Sequence, residues 1–214
     1  MMNEDLKNNR NYVIAIGRQF GCGGREVGQR VAQLLGINYF DKELLFEASK
    51  ASGINPEMFE AADERTPKFF PSLWPLNLAM AGSTFLSEAA TSDDNIYKAQ
   101  CQVMKDLVDR QSCVIVGRTA DYVLRDHCPV ISVFLHAPID DRVKRIIARG
   151  DCDTREAAEK RSDKANKLRA EYYNFYTDKQ WGQADSYDLC IDSSLLGIEG
   201  TAKFIVDFVI RRLG

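Results

Sequence analysis

Short, nearly unbroken apolar runs recur along the chain. Each is followed by a polar or glycine-rich turn, and then by apolar positions spaced three and four apart. Residues 12–16 (YVIAI) form the first run. Continuous rather than alternating hydrophobicity is what a strand buried on both faces requires. Behind it, Val27, Val31, Leu34 and Leu35 share one helical face, and Gly36 supplies the stop. Residues 37–40 (INYF) predict a second strand, and residues 113–116, 130–135 and 189–191 predict three more. Leu44, Leu45, Ala48 and Ala51 mark a helix closed by Gly53, and Asn55-Pro56 opens another. Helical periodicity resumes over residues 95–110, a short helix fits 119–125, and Val143, Ile146 and Ile147 define one stopped by Gly150. Asp153 with Glu156 fits a capping box at the head of a long helix running towards Tyr172. Ile198, Ala202, Ile205, Val206, Val209 and Ile210 give a closing amphipathic helix.

Strands alternating with helices predict an α/β fold: one five-stranded parallel sheet with helices on both faces. Such sheets bind ligands beyond the carboxyl ends of their strands, so the loops after Ile16, Phe40, Val116 and Leu135 are the places to look. The middle of the chain breaks the pattern. Residues 66–82 (TPKFFPSLWPLNLAMAG) hold Pro67, Pro71 and Pro75, which forbid one long helix, among the apolar Phe69, Phe70, Leu73, Trp74, Leu76 and Leu78. Such a segment is either a lid folded on the core or a contact between two copies of the chain, which would make a homodimer.

Composition narrows the function. The 214 residues, 45% hydrophobic and 28% charged, suit a single globular domain from residue 11 onward, behind a polar, poorly ordered tail over residues 1–10. The net charge of −3 argues against binding a nucleic-acid polymer. No run of 18 apolar residues exists to span a membrane, and the polar start (MMNEDLKNNRN) lacks a secretory pattern, so a cytoplasmic location is expected. Six scattered cysteines without a CxxC pair read as reduced thiols rather than a zinc or disulfide framework. The charge is uneven: residues 142–170 carry ten Lys/Arg against five Asp/Glu. That basic island is either a solvated helix surface or a cover for an anionic ligand.

The loop after the first strand sharpens the choice. Residues 17–28 (GRQFGCGGREVG) place Gly21, Gly23, Gly24 and Gly28 between a buried strand and a helix. Glycines there let backbone N–H groups converge on an anion at a helix N-terminus. Two designs use that geometry, the kinase phosphate loop GxxxxGK[ST] and the dinucleotide fingerprint GxGxxG. Neither fits cleanly. Gly24 stands where a kinase has Lys, Arg25 stands where it has Ser or Thr, and Glu26 falls on the fingerprint's third glycine.

Three blocks, residues 12–45 around that loop, 113–124 (CVIVGRTADYVL) and 166–182 (NKLRAEYYNFYTDKQWG), resemble in this order the cytidylate-kinase-like family, divergent relatives of nucleoside monophosphate kinases. The resemblance covers residues 12–212 and implies a three-layer P-loop kinase-like fold with helical lid insertions. It implies an acceptor-binding insertion over about 42–110, a basic lid over about 142–180, and use of ATP with Mg²⁺. On that alignment Gly21, Cys22, Gly23, Gly24 and Arg25 overlay the phosphate loop. Gly117-Arg118 matches a Gly-Arg pair whose Arg contacts the acceptor phosphate, and Arg169 matches a phosphate-contacting Arg. The sequence departs from the pattern at Val116 and Thr119, where those kinases are acidic, and at Asn166, an Asp position.

The implied activity is transfer of the γ-phosphoryl group of ATP to a small acceptor, CMP or dCMP first. Arg25, Arg118 and Arg169 are the catalytic candidates. Arg18, residues 21–25, Arg145 and Lys167 are expected on the donor phosphates. Asp41, Arg118, Asp121 and Asn166 are expected on the acceptor. Asp41 and Asp121 are the carboxylates available for Mg²⁺, although Asp41 also reads as a plain helix cap. Two rivals stand beside this reading. One is a nucleotide-binding regulator that has lost catalysis. The other is a dinucleotide-dependent oxidoreductase, with Asp41 as the ribose-binding acid.

Overall fold

The computed structural model describes residues 10–45 and 83–214, with the side chains of 83–96 left aside. The tail, the helices expected around residues 46–66 and the proline-broken segment 66–82 lie outside the described residues. Five strands form one parallel sheet: β1 (Val13–Arg18), β2 (Asn38–Phe40), β3 (Cys113–Val116), β4 (Val130–His136) and β5 (Leu189–Asp192). Their spatial order is β2-β3-β1-β4-β5. The helices are α1 (Gly24–Leu35), α2 (Ser83–Arg110), α3 (Ala120–Val123), α4 (Ile139–Ala148), α5 (Arg155–Tyr176) and α6 (Ser193–Leu213).

The expected sheet is met, and its buried strands explain why it was visible. Val13, Ile14, Cys113, Val114, Ile115, Val116, Val133 and Leu135 are all essentially inaccessible. On one face, Ile14, Ile16, Val114, Val116, Ile131, Val133 and Leu135 pack with Val27, Val31 and Leu35 of α1 and with Ala202, Ile205, Val206 and Val209 of α6. Each large aliphatic side chain buried this way is worth roughly 1.5–3 kcal/mol. Gly28 lets α1 sit close to the sheet: a Cβ there would come within 2.8 Å of Val116 and 3.1 Å of Tyr39. Across this layer Arg30 grips Glu199 with two hydrogen bonds of 2.6 and 3.0 Å, tying α1 to α6.

Boundaries move where long-range contacts decide them. β1 runs on to Arg18 because Gly17 and Arg18 continue its pairing with Phe134 and Leu135 of β4. The cap of α5 is Thr154, whose side chain accepts from Ala157 N, rather than the neighbouring aspartate. The last helix starts at Ser193, five residues before its expected apolar stripe, because Asp192 accepts from Ser194 N and its hydroxyl. Gly197, at φ 64°, breaks it before the stripe begins.

Two compact units result: residues through Lys42 with Leu107–Gly214, and Glu43–Asp106. The sheet belongs to the first. There the chain leaves β1 towards β2 on one side, then passes from β3 across β1 to β4 on the other. The winding direction thus reverses around β1, and the crevice beyond its carboxyl end is the expected ligand position.

Candidate functional site

The turn between β1 and α1 occupies that crevice. Gly21 and Gly23 take left-handed conformations, φ 85° and 83°, which a side chain would strain. Crowding opposes a side chain at both, against backbone at Gly21 and against the movable tip of Ile198 at Gly23. A Cβ on Gly21 would meet Arg142 O and Ile146 at 2.9 Å, and one on Gly23 would come within 2.5 Å of Ile198. Gly23 caps α1 without any side-chain hydrogen bond, so the first amides of the helix are not closed off by a capping oxygen. The result is a tight backbone cradle at the positive end of a helix.

Several tethers hold the cradle. Gln19 N donates to Leu135 O at 2.9 Å. Phe20 N donates to Asn166 Oδ1 of α5 at 2.7 Å. The buried Cys22 thiol donates to Leu135 O at 3.5 Å, and burial raises its pKa. The Ser193 hydroxyl, at the head of α6, shares its one proton between Cys22 O at 2.7 Å and His136 O at 3.0 Å. The Phe20 ring packs with Val143, Ile146 and Ala158, which join α4 to α5. The guanidinium groups of Arg149, Arg161 and Arg169 lie 5.6, 5.7 and 5.5 Å from that ring's centre. Cations over an aromatic face gain modestly from its quadrupole.

Cations crowd the cradle with little to balance them. Arg169 Nη1 donates to Arg18 O at 3.0 Å. Burial first, then the charge on Arg18, pulls the Arg169 pKa down to about 9, so it stays protonated at neutral pH. Burial likewise lowers that of Arg18. The Arg145 guanidinium lies 3.2 Å from where a Cβ on Gly23 would be. Arg18, Arg145 and Arg169 make no ion pair with a carboxylate among the described residues. Desolvated like charges kept together are costly unless an anion completes them.

The other candidates are already engaged. Arg25 is half exposed and reaches Asp41 Oδ2 at 3.3 Å, and Tyr39 also donates to that oxygen at 3.3 Å. Buried Asp121 accepts from the Tyr173 hydroxyl at 2.7 Å and from Lys179 at 3.5 Å. Burial, then that carboxylate, raises the Tyr173 pKa. Lys167 is exposed and lies 3.9 Å from Glu171 on its own helix. Asn166 serves the loop backbone as described. Arg142, by contrast with Arg145, is buried and spends itself on Ala137 O and Ser162 Oγ, clamping α4 to α5.

A second unusual turn follows β3. Gly117, Arg118 and Thr119 are all left-handed, at φ 88°, 61° and 54°. Two consecutive non-glycine residues in that region are strained, a condition that gathers at ligand sites. Thr119 donates its hydroxyl to Arg118 O at 2.6 Å, and the Arg118 guanidinium lies 5.4 Å from the Tyr172 ring centre.

Magnesium, which the kinase resemblance implies, finds no carboxylate cage here. Asp41 and Asp121 are both committed to cationic and hydroxyl partners, and no cluster of three or more His, Cys, Asp or Glu among the described residues is arranged for a metal. Mg²⁺ is often held mainly by substrate phosphates, but these residues do not fit a protein-built site, and no step is derived through one. Sequence reasoning missed Phe20 as the hub between loop and α5, and Ser193 as its floor. The aromatic residue inside a glycine loop was a usable signal for the first, but nothing local marked the second. No described helix is long and apolar enough to cross a membrane.

Known proteins resemble this chain in sequence and in fold. The cytidylate kinase of Methanococcus aeolicus is 24% identical over 196 residues, covering 90% of this chain and 94% of that enzyme. A solved structure of an uncharacterized protein from Eubacterium ventriosum is 26% identical, with a TM-score of 0.66 over 95% of this chain and 98% of the other. A gluconokinase of Sinorhizobium meliloti shares only 14% identity but matches with a TM-score of 0.53 over 96% and 97% of the two chains, a likeness of fold alone. Residues 13–195 match the cytidylate kinase-like family, and the chain belongs to it.

Proposed function

We infer that this member of the cytidylate kinase-like family is a phosphotransferase that moves the γ-phosphoryl group of ATP to a small phosphorylated acceptor, CMP or dCMP first. One observation carries the reading: an open helix N-terminus and a glycine cradle ringed by Arg18, Arg145 and Arg169, none of which has a carboxylate partner among the described residues. A polyphosphate supplies the missing negative charge, and guanidinium groups bind it with paired hydrogen bonds. Arg118, held in a strained turn beyond β3, is suited to the acceptor phosphate. An acceptor phosphate is already ionised, so positioning and charge stabilisation suffice without a general base. ATP consumption measured across nucleoside monophosphates tests this. CMP or dCMP is expected to be turned over fastest, and absence of turnover with every acceptor contradicts it.

A second reading, nucleotide binding without catalysis, is favoured by one specific feature. Gly24 and Arg25 replace the loop's Lys and metal-holding hydroxyl, and Arg25 turns to Asp41. It predicts stabilisation by ATP without turnover. The dinucleotide reading gains nothing from Asp41, whose carboxylate is taken by Arg25 and Tyr39.

A further inference from the structure

We propose that Arg18, at the end of β1, fills the role of the cation that a kinase loop carries at position 24, and that Gly24 is a glycine because the Arg18 stem runs past it towards Gly117. This rests on reading the loop as a polyphosphate site. The Arg18 stem lies against the first turn of α1. A Cβ on Gly24 would come within 2.8 Å of its Cβ, 2.9 Å of its Cγ and 3.2 Å of its Cδ. At the other end, a Cβ on Gly117 would meet Arg18 Nη1 at 2.6 Å. The side chain therefore crosses from the donor loop to the turn that bears Arg118.

Backbone conformation does not ask for glycine at position 24. Gly24 is the first residue of α1, its φ is not positive, and glycine is a poor helix former. A side chain at position 24 and the Arg18 stem compete for one volume, and this chain gives that volume to Arg18. The alternative cation, Arg25, is half exposed and paired with Asp41 at 3.3 Å. Arg18 has neither an ion-pair nor a hydrogen-bond partner for its guanidinium among the described residues, and Asp41 acts on it only at longer range. A charge held desolvated, with no compensating partner among the described residues, lowers stability, so its presence points to a ligand.

The test is calorimetric titration with ATP and with inorganic tripolyphosphate, beside thermal melts of the ligand-free proteins. Arg18→Met, which keeps a stem and removes the charge, is expected to weaken both ligands by about ten- to a hundredfold, the worth of a charged hydrogen bond. It should melt at or above the parent without ligand, because no partner among the described residues is lost. Arg25→Met should weaken binding less. Arg18→Gly/Gly24→Lys moves the cation to the other position and should recover at least about tenfold over Arg18→Gly. Binding by Arg18→Met within about twofold of the parent, or a larger loss in Arg25→Met, overturns the role given to Arg18. If the glycine variants fail to fold, the Arg18→Met and Arg25→Met pair still decides. A parent protein that binds neither ligand overturns the reading of the loop itself.

Discussion

Two arginines of one basic stretch, Arg142 and Arg169, show how charge is used in opposite ways. Arg142 is buried with its donors spent on Ala137 O and Ser162 Oγ, joining the helices α4 and α5. Arg169 donates to Arg18 O, yet burial and its cationic neighbours pull its pKa down to about 9. The first is satisfied by the fold, whereas the second is stressed by it. The same contrast separates the Asp121–Tyr173–Lys179 group, where a buried acid has its partners, from the cradle, where Arg18, Arg145 and Arg169 have no acid among the described residues. Charges that hold the fold are matched within it, whereas those without a partner among the described residues are the ones the proposed function assigns to an anion.

The contrast breaks most visibly under paired substitution. Arg142→Met should cost about 2–3 kcal/mol of stability, because it leaves buried Ala137 O and Ser162 Oγ without their donor, while the folded fraction still binds ATP like the parent. Arg169→Met should do the reverse. Ligand-free stability should change by less than about 1 kcal/mol, while ATP affinity falls by roughly ten- to a hundredfold. Denaturant melts and titration of the two variants measure both quantities, and equal effects on both would erase the distinction.

A smaller effect is expected at Gly117. Gly117→Ala forces a side chain into φ 88° and against Arg18 Nη1, so it should cost about 1–2 kcal/mol and displace Arg18. ATP affinity and thermal melts should fall together, and a fall in stability alone would show that Arg18 does not depend on that space.

The smallest effect lies far from the site. Arg30 and Lys203 hold the Glu199 pKa down to about 2. A carboxylate depressed in the folded state contributes stability above its unfolded value near 4.5, and that contribution is lost as pH falls towards 2. Glu199→Gln should therefore flatten part of the acid limb of the stability profile and leave ligand binding at pH 7 unchanged. The pair lies at the solvent-washed surface, so only a shallow change is expected.

Local features were legible in the sequence and long-range ones were not. The strand Cys113–Val116 is buried along its whole length, and a continuous apolar run announces that without reference to the rest of the chain. The glycine loop announced itself by composition in the same way. The first turn of α6 was missed because Asp192 and Ser194 set it by capping, ahead of any apolar stripe. The mates of the basic residues could not be read, because Asn166 meets Phe20 across 146 residues and Arg169 meets Arg18 across 151. A charge count cannot distinguish Arg142 from Arg145, three residues apart on one helix. Only the fold reveals that one is clamped and the other lies against Gly23.

The most direct test is a crystal structure with a non-hydrolysable ATP analogue. Its β- and γ-phosphates should lie on the backbone of residues 21–24, within hydrogen-bond distance of Arg18 and Arg169, with Arg25 still on Asp41. A triphosphate bound away from that loop, or bound there with Arg18 and Arg169 turned away, would contradict this placement.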